Sequence, residues 1–118
     1  MVAIDPGAMR LPEGMTGGGP GRVSHMQMLA QDAVGLLREG GAGFDMLVCD
    51  ANRKPQSVVK EMVEPLVALL RPGAPMVVTL KDFWSSKGQW KEWEDEVHAV
   101  EAMVQPFTEA PPIRTLAQ

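Results

Sequence analysis

Apolar and polar positions alternate in blocks along this chain, and each block predicts an element. Val2-Ala3-Ile4 is a short apolar run closed by Asp5-Pro6-Gly7, the pattern of a buried strand stopping at a turn. From position 12 to 21 proline and glycine crowd together and read as a flexible connection. A phosphate-cradling loop would run from strand straight into helix. Here the glycines lead instead into Arg22-Val23-Ser24-His25-Met26, a second predicted strand. Residues 32–39 read as a short helix, stopped by Gly40-Gly41-Ala42-Gly43.

Residues 44–49, Phe-Asp-Met-Leu-Val-Cys, form the clearest buried strand and end in Asp50. Such a run suits a parallel sheet covered on both faces. Residues 56–70 then place Val58, Val59, Met62, Val63, Leu66, Val67, Leu69 and Leu70 at helical spacing. Pro65 lies inside and is expected to kink or split that helix. After Arg71-Pro72-Gly73 comes Met76-Val77-Val78-Thr79-Leu80, a second central strand with Lys81 at its C-terminal end. Residues 84–88 read as a loop and 89–104 as an amphipathic helix with an acidic outer face. In the proline-containing tail, residues 113–116 are predicted to begin a strand. Strands alternating with helices call for an α/β fold with a mostly parallel sheet, as one domain over residues 1–118.

Composition narrows the function. Lys plus Arg is 11 against 15 Asp plus Glu, a formal net charge of −4, so no long-range positive field draws in nucleic acid. Binding to RNA must rest on a local patch. One cysteine, Cys49, excludes an internal disulfide framework, and with His25 and His98 alone beside it no structural metal site is expected. Cys49 is expected to be buried and inert. No apolar stretch approaches the roughly 20 residues that span a bilayer, and no secretory signal is visible. An intracellular, cytoplasmic domain without membrane contact is therefore expected.

In open α/β sheets, ligands bind outside the carboxyl ends of the strands. Asp5, Asp32 and Asp50 lie at or near such ends, as does Lys81. Four polar groups there would converge on one crevice. Each has a plainer role as well: Asp5 as the start of a turn, Asp32 as a helix N-cap, Asp50 as a turn former, Lys81 as a solvated strand end. As a set they suit a nucleoside-containing cofactor. One carboxylate can accept from both hydroxyls of a ribose, a second from an adenine amino group, and a third lies beside the reacting group. A lysine facing the third is a candidate general base.

These residues carry a resemblance. Phe44-Asp45-Met46-Leu47-Val48-Cys49-Asp50-Ala51-Asn52-Arg53-Lys54-Pro55 resembles the fourth-strand motif of FtsJ-type ribose 2′-O-methyltransferases, nearest the branch that modifies a cytidine of large-subunit ribosomal RNA. Val2-Ala3-Ile4-Asp5-Pro6-Gly7-Ala8-Met9 resembles that family's second strand with its ribose-binding acid. Met28-Leu29-Ala30-Gln31-Asp32-Ala33 resembles the adenine-side acid, and Met76-Val77-Val78-Thr79-Leu80-Lys81 the fifth strand with the catalytic lysine. The likeness runs from Val2 to about Val104. It implies a Rossmann-like methyltransferase fold, S-adenosylmethionine as methyl donor and an RNA ribose 2′-hydroxyl, of ribosomal RNA, as acceptor. By the same resemblance Asp5, Asp32 and Asp50 bind the cofactor. Asp50 and Lys81 are the catalytic pair: Lys81 takes the hydroxyl proton, and Asp50 holds it in line.

The family uses a Lys-Asp-Lys-Glu tetrad, of which Asp50 matches the aspartate and Lys81 the second lysine. The first strand with its glycine-rich turn, the first lysine, and the closing strands with the glutamate have no counterpart, and Glu109 in a proline-rich tail is a poor stand-in. The domain is thus expected to be incomplete at both ends. The family's first strand lies between the second and the fourth, so its loss leaves open strand edges. Low stability, oligomerisation or pairing with a missing complementary segment follows as the expectation.

Trp84, Trp90 and Trp93 are interleaved with Lys81, Lys87 and Lys91. Such residues stack on unpaired bases or pack a helix on a sheet, and neighbouring Glu92, Glu94, Asp95 and Glu96 favour packing. The nine methionines are expected mostly in the core. Among rival readings, a phospho-acceptor receiver domain would place a Ser or Thr strand end between Asp50 and Lys81, which this order lacks. Methylation of a small molecule seldom needs a lysine at that position. A catalytically inactive methyltransferase-like interaction module remains the main alternative.

Overall fold

Three apolar residues at the start of the chain form β1 (Val2–Ile4), which pairs in parallel with β2 (Ser24–Met26). The computed structural model describes residues 1–17, 19–41, 43–110 and 112–114. They fall into two compact units that divide after Gly43. In the first unit, Val2 lies opposite Ser24 and Ile4 opposite Met26, and the Asp5 N–H extends the ladder to the Met26 carbonyl. The long connection between these strands folds back through a bridge from Thr16 to Val23, and Val23 is buried. Helix α1 (Ala30–Glu39) starts two residues before the predicted position. Extended Leu29 supplies the first carbonyl, which accepts the N–H groups of Asp32 and Ala33. Gly41, at φ 67°, takes the left-handed turn that ends the helix, a conformation that costs glycine little.

In the second unit, β3 (Leu47–Asp50) pairs in parallel with β4 (Met76–Thr79), with Leu47 opposite Met76 and Asp50 opposite Thr79. The predicted strand over 44–49 is therefore shifted. Phe44 instead makes an isolated parallel bridge with Leu70, and Asp45 turns out to bond the Arg71 guanidinium at 2.6 Å. Between the strands the chain coils as α2 (Pro55–Val58), a π-helical stretch (Val59–Val63) and α3 (Glu64–Val67).

Pro65 is expected to kink or split this helix, and the helical run is indeed divided into segments, while its backbone stays right-handed helical through the junctions. The division takes the form of a wider π register: the Glu64 N–H reaches the Val59 carbonyl five residues back. Proline has no N–H and its ring crowds the carbonyl four residues earlier, and a widened turn relieves both defects. Helix α4 (Trp90–Val104) follows β4 through a short 3₁₀ turn, Ser85–Lys87. The strand predicted over 113–116 lies partly outside the described residues, and Ile113 and Arg114 are in no strand.

Cys49 of β3, Val58, Val59 and Val63 of the central helix and Val100 of α4 make the core of this unit. Leu47, Met76, Val78 and Leu80 pack against it, so alternate residues of β3 and β4 supply one sheet face. The opposite face corrects the expectation of a sheet covered on both sides. Val48 is 64% exposed and Val77 49%, because the helices that follow these strands pack on the other face. Methionine also departs from expectation: Met62, Met76 and Met103 pack on the core, while Met9, Met15 and Met46 are exposed.

Cys49 is buried with Sγ 3.8 Å from Met62 Sδ. Burial, and then the charge of Asp50, push its thiol up, so it packs as a small neutral side chain. Among the described residues the architecture is thus mixed α/β, with two parallel two-stranded sheets rather than one continuous sheet. Among the described residues no helix is long and apolar enough to cross a membrane.

Candidate functional site

The register of β3 against β4 decides which polar groups meet. Cys49 faces the core, so by alternation Val48 and Asp50 belong to the open face, as do Val77 and Thr79. Lys81 continues that alternation just past β4. Its Nζ lies 3.1 Å from Asp50 Oδ1. The pair therefore stands at the carboxyl end of the open face, beyond Val48 and Val77. Its side chains are 39% and 61% exposed, for Lys81 and Asp50 respectively. An ion pair this exposed adds only about 0–1 kcal/mol to stability. Its placement at two strand ends, rather than any contribution to folding, makes it the candidate site.

The chain after Lys81 is braced by a residue that sequence reasoning passed over. Asp82 Oδ1 accepts the backbone N–H of both Trp84 and Ser85, each at 2.9 Å. The signal was legible as an aspartate two and three residues ahead of turn N–H groups, the pattern of an Asx turn. Desolvation, the largest single influence, acts to raise the Asp82 carboxyl, but the hydrogen bonds from Ser85 and Trp84 together outweigh it and the net shift is downward. Ser85 Oγ is buried and reaches no partner with good geometry, so the two backbone bonds are the firm ones.

A carboxyl lowered on folding stabilises above its unfolded-chain value of about 3.9. That contribution is lost as pH falls through the folded-state value. The wild type is therefore expected to melt above Asp82→Asn at about pH 7, with the gap closing below about pH 4. A gap that stays constant between these pH values in thermal melts would refute the assignment.

Trp84 stacks on Trp93 of α4, with ring centroids 6.1 Å apart and planes at 26°, and Phe83 meets Trp84 edge-on at 6.1 Å. Gly88, left-handed at φ 73°, lets the chain enter α4 directly afterwards. Midway along α4, Glu96 accepts the Gln56 N–H at 3.0 Å and its Nε2 at 2.7 Å, tying α4 to α2.

Asp5 and Asp32 belong to the first unit. Asp5 Oδ1 accepts the Gly7 N–H at 2.6 Å, so the turn-starting role is real, and its other oxygen has no part in that bond. Asp32 is not the N-cap. Leu29 holds that position, and Asp32 is an exposed third residue of α1 without a capping bond. The structure thus brings Asp50 and Lys81 into contact, gives Asp5 a turn and leaves Asp32 facing solvent.

Two open hollows lie elsewhere. One of about 410 Å³ in the first unit is lined by Met9, Leu11, Thr16, Val23, Ser24 and His25. One of about 380 Å³ in the second unit lies beside Glu101, Gln105, Thr108 and Glu109. Among the described residues no three His, Cys, Asp or Glu side chains are grouped to hold a metal ion. No protein-family model, curated protein or solved structure matches this chain.

Proposed function

We propose that this chain is a Rossmann-like domain related to S-adenosylmethionine-dependent RNA ribose 2′-O-methyltransferases. The observation that carries the reading is the 3.1 Å contact between Lys81 Nζ and Asp50 Oδ1 at the carboxyl ends of two adjacent parallel strands. The two sheets add support. In a methyltransferase sheet the second strand pairs in parallel with the third and the fourth with the fifth, and β1 with β2 and β3 with β4 are parallel pairs of this kind.

The residues present suit such a cofactor in part. Asp32 is an exposed carboxylate, Asp5 has one oxygen outside its turn, and Asp50 offers negative charge beside a sulfonium. When bound, S-adenosylmethionine supplies an electrophilic methyl group. By the resemblance, Lys81 Nζ is the group that would take the ribose 2′-hydroxyl proton, and Asp50 Oδ1 would orient it. By the resemblance alone, Asp5 and Asp32 of the first unit would accept hydrogen bonds from the nucleoside part.

Isothermal titration of the whole chain with S-adenosylmethionine tests this. Binding is expected, and it should weaken at least tenfold in Asp5→Ala and in Asp32→Ala, as loss of a charge-assisted hydrogen bond predicts at about 1.5–3 kcal/mol. No binding would favour the second reading, a catalytically inactive interaction module. That reading has its own observation, the exposed apolar face of Met46, Val48 and Val77.

A further inference from the structure

Trp84 and Trp93 are accounted for by stacking on each other, but Trp90 is not. It opens α4 with 65% of its surface exposed. An indole is a large apolar group to leave in water, and nothing in the packing of α4 on the core uses it, since Val97 and Val100 are that helix's buried residues. Trp90 and Trp93 are three residues apart on one helix and so are neighbours on its surface. Trp93 in turn stacks on Trp84. By this helical spacing and the Trp84–Trp93 stack, the three indoles follow one another in a row from the start of α4 toward the turn that follows Lys81.

That row is held in place before any partner arrives. The two bonds to Asp82, the turn bonds Lys87 N–H to Trp84 O and Gln89 N–H to Trp84 O, and the left-handed Gly88 set the loop that carries it. Lys87 and Lys91 flank Trp90 in sequence, and both are exposed. Two of the neighbouring acids are engaged within the fold: Asp82 by the turn and Glu96 by Gln56. Glu92, Glu94 and Asp95 remain exposed on α4.

Resting on the RNA reading above, we infer that this indole row is a stacking surface for an unpaired RNA base, with Trp90 as the outer platform and Lys87 and Lys91 meeting the flanking phosphates. Every base has a flat face and can stack on an indole whatever its sequence, and lysines supply the charge that a phosphate needs. The three exposed acids oppose a polyanion, so stacking rather than counterion release carries the affinity. This gives the surface a signature. Its salt dependence should be shallow, with a log–log slope of about −1.4 for two phosphates at −0.7 each. A duplex hides its base faces and should bind weakly.

The test is tryptophan-fluorescence titration of the full chain with a single-stranded RNA oligoadenylate of about eight nucleotides, beside a duplex of the same length. Quenching with preference for the single strand is expected. Trp90→Ala should weaken binding about tenfold, without shifting the melting temperature, because the residue is exposed. Paired Lys87→Ala and Lys91→Ala should weaken it further and flatten the salt slope. Equal affinity in Trp90→Ala, equal binding of duplex, or no quenching overturns the inference. The methyl donor is absent from this experiment. Loss of S-adenosylmethionine binding with retained single-strand binding therefore leaves the surface standing and removes only the enzymatic reading.

Discussion

Under the proposed methyltransferase function, Lys81→Ala is expected to lower methyl transfer to RNA by about 10²–10⁴-fold, the usual contribution of a positioned general base, while S-adenosylmethionine binds with unchanged affinity. The sharper variant is Lys81→Arg. A guanidinium keeps its proton under any condition a protein tolerates, yet it pairs well with a carboxylate. Lys81→Arg therefore preserves the contact with Asp50 and removes the base. If Lys81 serves only as a partner for Asp50, the arginine variant stays active. If it accepts the hydroxyl proton, the arginine variant is as inactive as the alanine one.

Asp50→Asn should fall between the wild type and these variants, because an amide oxygen can still accept from Nζ at 3.1 Å but carries no charge. The measurement is transfer of a labelled methyl group to RNA, read beside cofactor titration. Full activity in Lys81→Arg would remove the catalytic role given to this lysine.

Val59→Asp should unfold the second unit, whereas Val77→Asp should leave it folded. Val59 is fully buried in the π-helical stretch and belongs to the core with Val58, Val63 and Val100. A carboxylate placed there has no partner among these side chains, and an unpaired buried charge costs several kcal/mol. A small domain has only about 5–15 kcal/mol in total. Val77 has the same residue type and sits one position from core-facing Val78, but half its surface meets solvent. Its substitution should change stability by about 0.5 kcal/mol or less, and shrinking the exposed apolar face should raise solubility. Urea melts followed by circular dichroism check both variants. A cooperative, wild-type-like transition in Val59→Asp would contradict the face assignment of the central helix, and unfolding of Val77→Asp that of β4.

Much of the local structure was legible because it depends on neighbours in sequence. The order of strands and helices could be read from period and punctuation, as could the stop at Gly40 and Gly41 and the helix starting near Pro55. The shift of β3 from 44–49 to Leu47–Asp50 was not legible. It depends on Phe44 pairing with Leu70 and on Asp45 meeting Arg71, both contacts across 26 residues. The division of the helix at Pro65 was legible, but its π form was hidden for a related reason. A proline states that one hydrogen bond is absent, but whether the chain bends or widens depends on what the helix packs against. Here Val58, Val59 and Val63 must all remain buried, and a π turn keeps them so. Asp82 was readable in principle as an Asx turn.

By itself the sequence determined the order of strands and helices, and placed Asp5, Asp50 and Lys81 at or beside strand ends. Those properties follow from backbone periodicity and from the conformations that glycine and proline allow or forbid. Only the tertiary structure decided that Asp50 meets Lys81, that one face of the β3–β4 pair stays open, and that Trp84 and Trp93 cover each other while Trp90 remains in solvent. Each of these depends on strand register and on which face the helices cover. A one-residue slip in register would turn the same side chains to the opposite side of the sheet.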